Sequence, residues 1–554
     1  MSENDLRIHL IPLGGLGEIG KNMLAIRYQD TIVVIDAGLM FPEEELLGID
    51  IVIPDITYLI ENKEKVKAIL LTHGHEDHVG ALPYVLKELS VPIYGSKLTL
   101  GLVEAKLKDY NLENVKYNVI RPREMIKIDQ LEIEFFRVSH SIPDSMGIAI
   151  HTPLGVIMHT GDIKLDQTPV DGEVVDFRKM AELGEKGVLV MMGDSTNADR
   201  SGFTMSEKIV GNTFMELFAK CEGRIIATTF ASNVHRIQQV ITTAEKYDRK
   251  VAVIGRSMVN NVRIASELGY MNIPENTMIE IEDINKYADN QIVIVTTGSQ
   301  GEPMSALTRM ATGDHRWVSI QPGDTVIISA NPIPGNEKLV AKTVDLLFKQ
   351  GAEVIYERGM GVHVSGHAAE EELKIILNLI RPKYFIPVHG EYRHLMKHAK
   401  IAESLGIDKS RIFVAENGQV IELDNKKGGF AGKVTAGKVL IDGLGVGDVG
   451  NIVLRDRKQL SQDGIMIVVV TIEKGQAGVV AGPDIVTRGF VYVRESEQLI
   501  EDAKQKVREA LDVCTKKNIT EWAVIKSQIR DKLGKHLFEK TGRRPMILPI
   551  IMEI

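Results

Sequence analysis

AILLTHGHEDHVG, residues 68–80, is an apolar run that ends in three histidines and an aspartate within six positions. Its first half has the length and composition of a buried strand. His73, His75, Asp77 and His78 then stand at the C-terminal end of that strand, the rim where α/β sheets present functional side chains. Imidazole and carboxylate suit zinc or manganese, and the i, i+2 spacing in a loop lets two rings converge. Solvated loop histidines are the plain alternative. A two-metal hydrolytic site needs about seven ligands including an anionic bridge, so further ligands are expected at other strand ends. His140 closes FFRVSH, Asp162 closes GVIMHTGD, and His389 lies in FIPVHG. His9, His151 and His159 fall inside strand patterns, and His315, His394, His398 and His536 at surface or helix positions, so none is assigned to metal.

Upstream, GGLGEIGKN (residues 14–22) places Gly15, Gly17 and Gly20 at the spacing of a dinucleotide-binding turn. That turn works only if a helix begins at the third glycine, because its N-terminus meets the phosphates. Here KNMLAIRYQDTIVVIDAG follows, with no helical stripe and a β-branched run, which favours two short strands. The glycines are expected as turn residues, and Asp36 as a strand-end residue of another kind of site.

A chain of 554 residues is too long for one ordinary domain. Its 44% hydrophobic and 25% charged content fits a globular protein. The longest apolar stretches are strand-sized, so no membrane role is expected. Without an export signal pattern, and with only Cys221 and Cys514, the expectation is a reducing cytoplasm and no disulfide framework. A net charge of -9 excludes a generally basic nucleic-acid binder but leaves room for a locally basic groove. Short strands ending in polar residues fill residues 1–205. Continuous apolar strands between helical stretches in 206–364 favour a parallel sheet covered on both faces. Residues 365–450 return to the first pattern, 451–463 read as a linker, and 464–554 as a small α+β domain. Its strands are expected at GIMIVVVTI, GFVYVR and RPMILPIIMEI, and one helix should bury Leu499, Ala503, Val507, Leu511 and Cys514.

THGHEDHVG, SHS and HTGD, with Asp36 in VIDAG and the glycine turn, resemble the metallo-β-lactamase superfamily, an αβ/βα four-layer sandwich. GDST with Asp194, VHVSGHA with His367 and PVHGEYRHL with His389 resemble the three added motifs of its β-CASP nucleases. Residues 206–364 match the α/β domain which that family inserts into the core. A histidine in the third motif, His389, implies RNA rather than DNA. FASNVHRIQQV, TTGSQGEPMSAL, PIPGN, GNIVLRDR and RRPMILPIIMEI resemble the bacterial ribonuclease J family along essentially the whole chain.

The resemblance implies a metal-dependent ribonuclease, 5′-to-3′ exonucleolytic on 5′-monophosphorylated RNA with some endonuclease activity, in mRNA decay and rRNA maturation. It implies two divalent ions, zinc or else manganese. One would be held by His73, His75, His140 and Asp162, the other by Asp77, His78, His389 and the shared Asp162. Asp77, His367 and Asp194 carry the catalytic roles. His367 is the proton donor to the leaving 3′ oxygen or a phosphate-binding donor only, and Asp194 holds that imidazole or is a structural carboxylate. The substrate pocket is implied at Ser232, Asn233 and Val234, where a helix cap is the alternative, and at His363, Val364, Ser365, Gly366 and His367. Arg236 and Arg256 add charge there or are surface residues. Gly48, Asp50 and Asp442 are candidates for an additional structural calcium or manganese, or are turn residues. A homodimer or homotetramer, a paralogous ribonuclease J subunit and an RNA-decay complex are the implied partners. A DNA-directed β-CASP nuclease, a thioesterase and a non-catalytic complex subunit are the competing readings.

Overall fold

The computed structural model describes residues 6–43, 45–302, 304–333, 336–357, 359–473, 479–491, 496–517 and 519–554. Pro303, Pro334 and Gly335, within two of the quoted motifs, lie outside them. The chain divides into two compact units, residues 1–41 with 51–439, and residues 42–50 with 440–554.

The larger unit is built on two facing sheets. Eight strands form the first, in the order Gly428–Lys433, Gln419–Leu423, Ile8–Gly14, Met23–Tyr28, Thr31–Ile35, Val66–Leu70, Ile93–Gly95 and Tyr117–Val119. Six form the second, in the order Tyr384–Val388, Val188–Asp194, Gly155–His159, Met146–Thr152, Leu131–Arg137 and Met125–Ile128. Ile8, Leu10, Ile26, Val33 and Leu70 of one sheet share a buried cluster with Ile133, Phe135, Ile148, Met192 and Ile386 of the other. Burial of each such side chain contributes about 1.5–3 kcal/mol, which holds the sheets face to face. The outer face of the second sheet, including Phe136, Met158 and Phe385, is covered by helices Phe177–Lys186 and Glu370–Ile380. Helix Lys97–Asp109 packs on the first sheet. These are the four layers of the sandwich.

Thr31–Ile35 runs parallel to Val66–Leu70 in the first sheet, and Gly155–His159, Val188–Asp194 and Tyr384–Val388 run parallel in the second, where Leu131–Arg137, antiparallel to Met146–Thr152, points the same way as Gly155–His159. Their C-terminal ends therefore face the same way. No helix follows the glycine turn; Leu16–Gly17 is a two-residue strand and Met23–Tyr28 the next element.

Residues 206–364 contain a third sheet of six parallel strands, Met278–Ile279, Lys250–Ile254, Ile292–Thr296, Ile225–Thr228, Thr325–Ile328 and Glu353–Ile355. Separate apolar clusters cover its two faces, so its strands lack polar alternation.

In the second unit the 451–463 segment is a 13-residue helix, Asn451–Asp463, rather than an irregular linker. No glycine or proline interrupts it between Gly450 and Gly464. Residues 440–450 group with this unit instead of the core. Ile465–Ile472 pairs antiparallel with Val479–Arg488 and parallel with Met546–Glu553, and helices Glu497–Lys516 and Trp522–Thr541 belong to the same unit. The second strand thus precedes GFVYVR: Gly489–Val491 follow it, and 492–494 lie outside the described residues. Gly482-Pro483 lies within the second strand, where an edge position tolerates proline and the register shift between Val469 and Thr471 accommodates it. The buried stripe of the first helix starts at Ile500, with Leu499 half-buried.

Candidate metal centre

Five strand ends converge. His73 follows Val66–Leu70, His140 follows Leu131–Arg137, Asp162 follows Gly155–His159, Asp194 ends Val188–Asp194, and His389 follows Tyr384–Val388. Donor atoms of His73, His75, His140 and Asp162 lie within 4.8 Å of one another. The same holds for Asp77, His78, Asp162 and His389, and for Asp162, Asp194 and His367. Asp162 is common to all three groups.

The first group is built from imidazole nitrogens that face each other. His75 Nδ1 lies 3.1 Å from both His73 Nε2 and His140 Nε2, and each of those Nε2 atoms is 3.5 Å from Asp162 Oδ2. In the second, His78 Nε2 is 3.3 Å from Asp162 Oδ1, while His389 Nε2 is 3.2 Å from Asp162 Oδ2 and 3.4 Å from Asp77 Oδ2. His389 is buried, and neither of its ring nitrogens makes a hydrogen bond of proper geometry among the described residues. A cavity of ≈ 30 Å³ bordered by Asn22, His78, Asp162 and His389 adjoins them. Convergent nitrogens, a shared carboxylate and an orphaned buried ring make a donor set that fits divalent cations.

The far nitrogens are fixed by the fold. His78 Nδ1 donates to Asp36 Oδ2 at 2.8 Å, and His140 Nδ1 donates to the Gly366 carbonyl at 2.8 Å. Thr72 gives its hydroxyl proton to Asp36 Oδ2 (2.8 Å), so its oxygen accepts from His73 Nδ1 at 3.0 Å. Each bond sets a tautomer that turns a lone pair toward the centre. Asp36 has φ 61 and His389 φ 55, both in the left-handed region that non-glycine residues rarely adopt. His389 is held by its N–H to the Gly15 carbonyl (3.1 Å). The glycine turn thus braces a candidate ligand. At Gly38 a Cβ would stand 1.6 Å from the Asp77 carbonyl, so only glycine lets the two loops meet.

Burial pushes His73 and His140 well below the usual histidine range and His75 to about 4, which leaves them neutral. Burial also opposes charge on His78 and His389, but Asp162 and Asp77 outweigh it, raising His78 well above its usual value and His389 to about 10. Burial favours the protonated form of Asp162, yet His389, His78 and His73 hold its carboxyl well below the usual range. The anionic pocket therefore collects protons, which a bound cation displaces.

His367 Nδ1 lies 2.7 Å from Asp194 Oδ2. Asp194 accepts as well from the Ile163 amide, the Thr196 amide and the Thr196 hydroxyl, so it is locked. Asn197 Nδ2 donates to Ser365 Oγ at 2.8 Å, which leaves the serine proton free to donate. Asn233 caps helix Val234–Lys246 by accepting from the Arg236 amide, Val234 is buried in the core of the insert, and Ser232 is half-buried. Arg236, read as a groove or surface charge, is wholly buried. It pairs with Glu207 at 2.8 Å and donates to the carbonyls of Ser329 and Val364 and to His363 Nδ1. That ties the first turn of this helix to the loop carrying Ser365 and Gly366. Burial first, then Arg236 and Arg200, push His363 well below its usual range. Arg256 is exposed. Asp36, Thr72, Asn197 and Glu207 complete the surroundings; of these only Asp36 carried a sequence signal, its place at a strand end.

Gly48, Asp50 and Asp442 all belong to the second unit. There Asp442 is paired with Arg457, whose side chain also approaches Gly48, and Asp50 Oδ2 accepts from the Gly443 amide at 2.7 Å. Both carboxylates are engaged, and among the described residues they form no group of three acidic or imidazole donors. His394 and His398 lie in helix Tyr392–Ser404 and His536 in the last helix, all buried rather than at the surface. His159 accepts from the Gly161 amide at 3.0 Å and so shapes the corner that delivers Asp162.

Comparison with known proteins gives four family matches: the metallo-beta-lactamase superfamily over residues 16–190, the ribonuclease J beta-CASP domain over 222–347, the Zn-dependent metallo-hydrolase RNA specificity domain over 352–412, and the ribonuclease J C-terminal domain over 452–554. The chain is 49% identical over 554 residues to ribonuclease J2 of Bacillus subtilis (strain 168), covering 100% of both chains. The chain belongs to the ribonuclease J family. Ribonuclease J 2 of Staphylococcus aureus (strain MRSA252) is 45% identical over 548 residues, 99% of this chain and 98% of that one. A crystal structure of a protein of unknown function from Enterococcus faecalis V583 is alike in fold, with a TM-score of 0.56 at 19% identity over 76% of this chain and 100% of that chain. As a ribonuclease J, the protein is a ribonuclease hydrolase that acts on RNA with divalent metal. Among the described residues no helix is long and apolar enough to cross a membrane.

Proposed function

We propose that the protein is a two-cation 5′-to-3′ exoribonuclease on 5′-monophosphorylated RNA, with some endonuclease activity, serving mRNA decay and rRNA maturation in the cytoplasm. One observation carries the reading: two groups of candidate ligands share Asp162 beside the loop of His363 to His367 that Arg236 ties in place. His73, His75, His140 and Asp162 hold one cation, and Asp77, His78, His389 and Asp162 the other; zinc suits this nitrogen-rich set best, with manganese second. When bound, the cations supply Lewis acidity toward water and the phosphoryl oxygens. His367, protonated because Asp194 outweighs its burial, donates to the leaving 3′ oxygen. Asp77 helps hold the second cation from a partly open rim position. Ser365 Oγ, the amides near Gly366 and Ser232 receive the terminal phosphate, within a loop that Arg236 anchors. Asn233 and Val234 shape that pocket through the helix cap and the core. The apolar, partly exposed strand Met546–Glu553 supports self-association as a homodimer or homotetramer, or pairing with a paralogous subunit.

A 5′-labelled monophosphorylated RNA, its triphosphorylated form, the matching DNA and a thioester test the reading together. Labelled mononucleotide should appear only from the monophosphorylated RNA. Ser365→Ala should cost about 1–3 kcal/mol of transition-state stabilisation on it, the scale of a charged hydrogen bond. Equal rates on the two RNA ends would reject the pocket, and turnover of DNA or thioester alone would reject the substrate class.

A further inference from the structure

Glu372 is the third residue of helix Glu370–Ile380, and it is 1% exposed. Its partners are backbone amides. Oε1 accepts from Leu165 N at 2.8 Å, and Oε2 accepts from Thr204 N at 2.6 Å and Ala369 N at 2.8 Å. The three amides come from three stretches of chain: the loop that starts at Asp162, the segment leaving for the insert, and the segment returning from it. All three lead to the site. Leu165 is three residues past Asp162, and Ala369 is two past His367. The Thr204 hydroxyl donates to the His367 carbonyl at 2.7 Å, and Asn197 Nδ2 donates to the same oxygen at 2.9 Å. Ala368 N donates to the Ile163 carbonyl at 2.7 Å. An ionised carboxylate can accept three such bonds. Glutamine offers one oxygen, and its amide nitrogen would face at least one N–H.

We infer that Glu372 is a positioning residue for the cleavage reaction, setting the backbone of His367 against that of Asp162 so that proton donor and bridging ligand address one phosphodiester. The inference rests on His367 acting as proton donor. A carboxylate that merely stabilised the fold would affect every reaction at the centre alike, whereas one that positions His367 affects the reactions that need a proton at the leaving oxygen.

The test compares RNA with bis(p-nitrophenyl) phosphate, whose nitrophenolate leaves without protonation. Glu372→Gln should lower kcat on RNA about 10- to 100-fold, the cost of a misplaced catalytic group, with KM and bound metal per chain little changed. The loss on RNA should exceed the loss on the aryl diester at least about tenfold. In a His367→Ala background the same substitution should cost nothing further on RNA, because the two act as one unit. Equal losses on both substrates, or additive losses in the double variant, would overturn the proposal. If His367→Ala itself slows both substrates equally, the proton-donor reading falls first, whatever Glu372 does. Should Glu372→Gln fail to fold, Thr204→Val removes only the hydroxyl bond to the His367 carbonyl. It should give a smaller RNA-selective loss that Thr204→Ser restores, and a loss without that selectivity would count against the proposal.

Discussion

Replacing Asp36 by asparagine isolates the orientation of one proposed ligand, His78. The left-handed backbone at φ 61 is one that asparagine tolerates, so the fold should survive. The Thr72 amide keeps an acceptor in Oδ1, but the position of Oδ2 becomes an NH2 group pointed at His78 Nδ1 and the Thr72 hydroxyl. Two donors then face each other, and His78 must carry its proton on Nε2, the nitrogen 3.3 Å from Asp162. The lost carboxylate–imidazole bond is worth about 1.5–3 kcal/mol, which is about 10- to 150-fold in an equilibrium constant. That agrees with the 10- to 100-fold usually lost when the partner of a ligating histidine is removed. Zinc titration of the stripped protein against a chromophoric chelator, followed by calorimetry, should give two binding steps. In Asp36→Asn one step should weaken by about 10- to 100-fold while circular dichroism stays unchanged. Two unaltered steps in a folded variant would refute the claim that Asp36 sets the His78 tautomer.

Three further outcomes are expected. Arg236→Met leaves Glu207 buried without its partner, so it should cost about 3–5 kcal/mol in urea unfolding and raise KM for monophosphorylated RNA by releasing the Val364 carbonyl. Burial disfavours the charged form of Asp171, but His235 at 3.2 Å holds its carboxyl below the usual range. Its contribution is thus complete above about pH 4 and vanishes as pH falls through the lowered native value, so Asp171→Asn should flatten the acid limb of a Tm-against-pH curve. Removal of divalent metal should abolish RNA cleavage and lower Tm, with both restored by zinc or manganese; full activity of the stripped protein would reject metal-assisted chemistry.

The motif after Val66–Leu70 was legible because four candidate ligands of two types stood at the end of the apolar run AILL, and Asp162 and His389 repeated that grammar. The sandwich core could be read for the same reason: residues buried on both faces lose polar alternation. What stayed hidden depends on partners distant in sequence. Arg236 looks like a solvated helix charge until the fold brings Glu207, Ser329 and Val364 around it. Asn233 and Val234 sit in a motif whose side chains turn out to cap and fill a helix, leaving Ser232 and backbone amides for any ligand. The helix at 451–463 has no buried residue, so it offers no apolar stripe to detect. Gly482-Pro483 lies inside a strand because that strand is an edge.

The dispersal of the proposed ligands along the chain has a consequence for how the protein is made. His73 and His389 are more than three hundred residues apart, and ribosomes add about 5–20 residues per second. Roughly a quarter of a minute to a minute therefore separates the birth of the first ligand from that of the last. The parallel strand Tyr384–Val388 that seats His389 cannot join Val188–Asp194 any sooner. A nascent ribonuclease emerges beside its own message, and this order of synthesis keeps its proposed centre incomplete until residue 389 has been added.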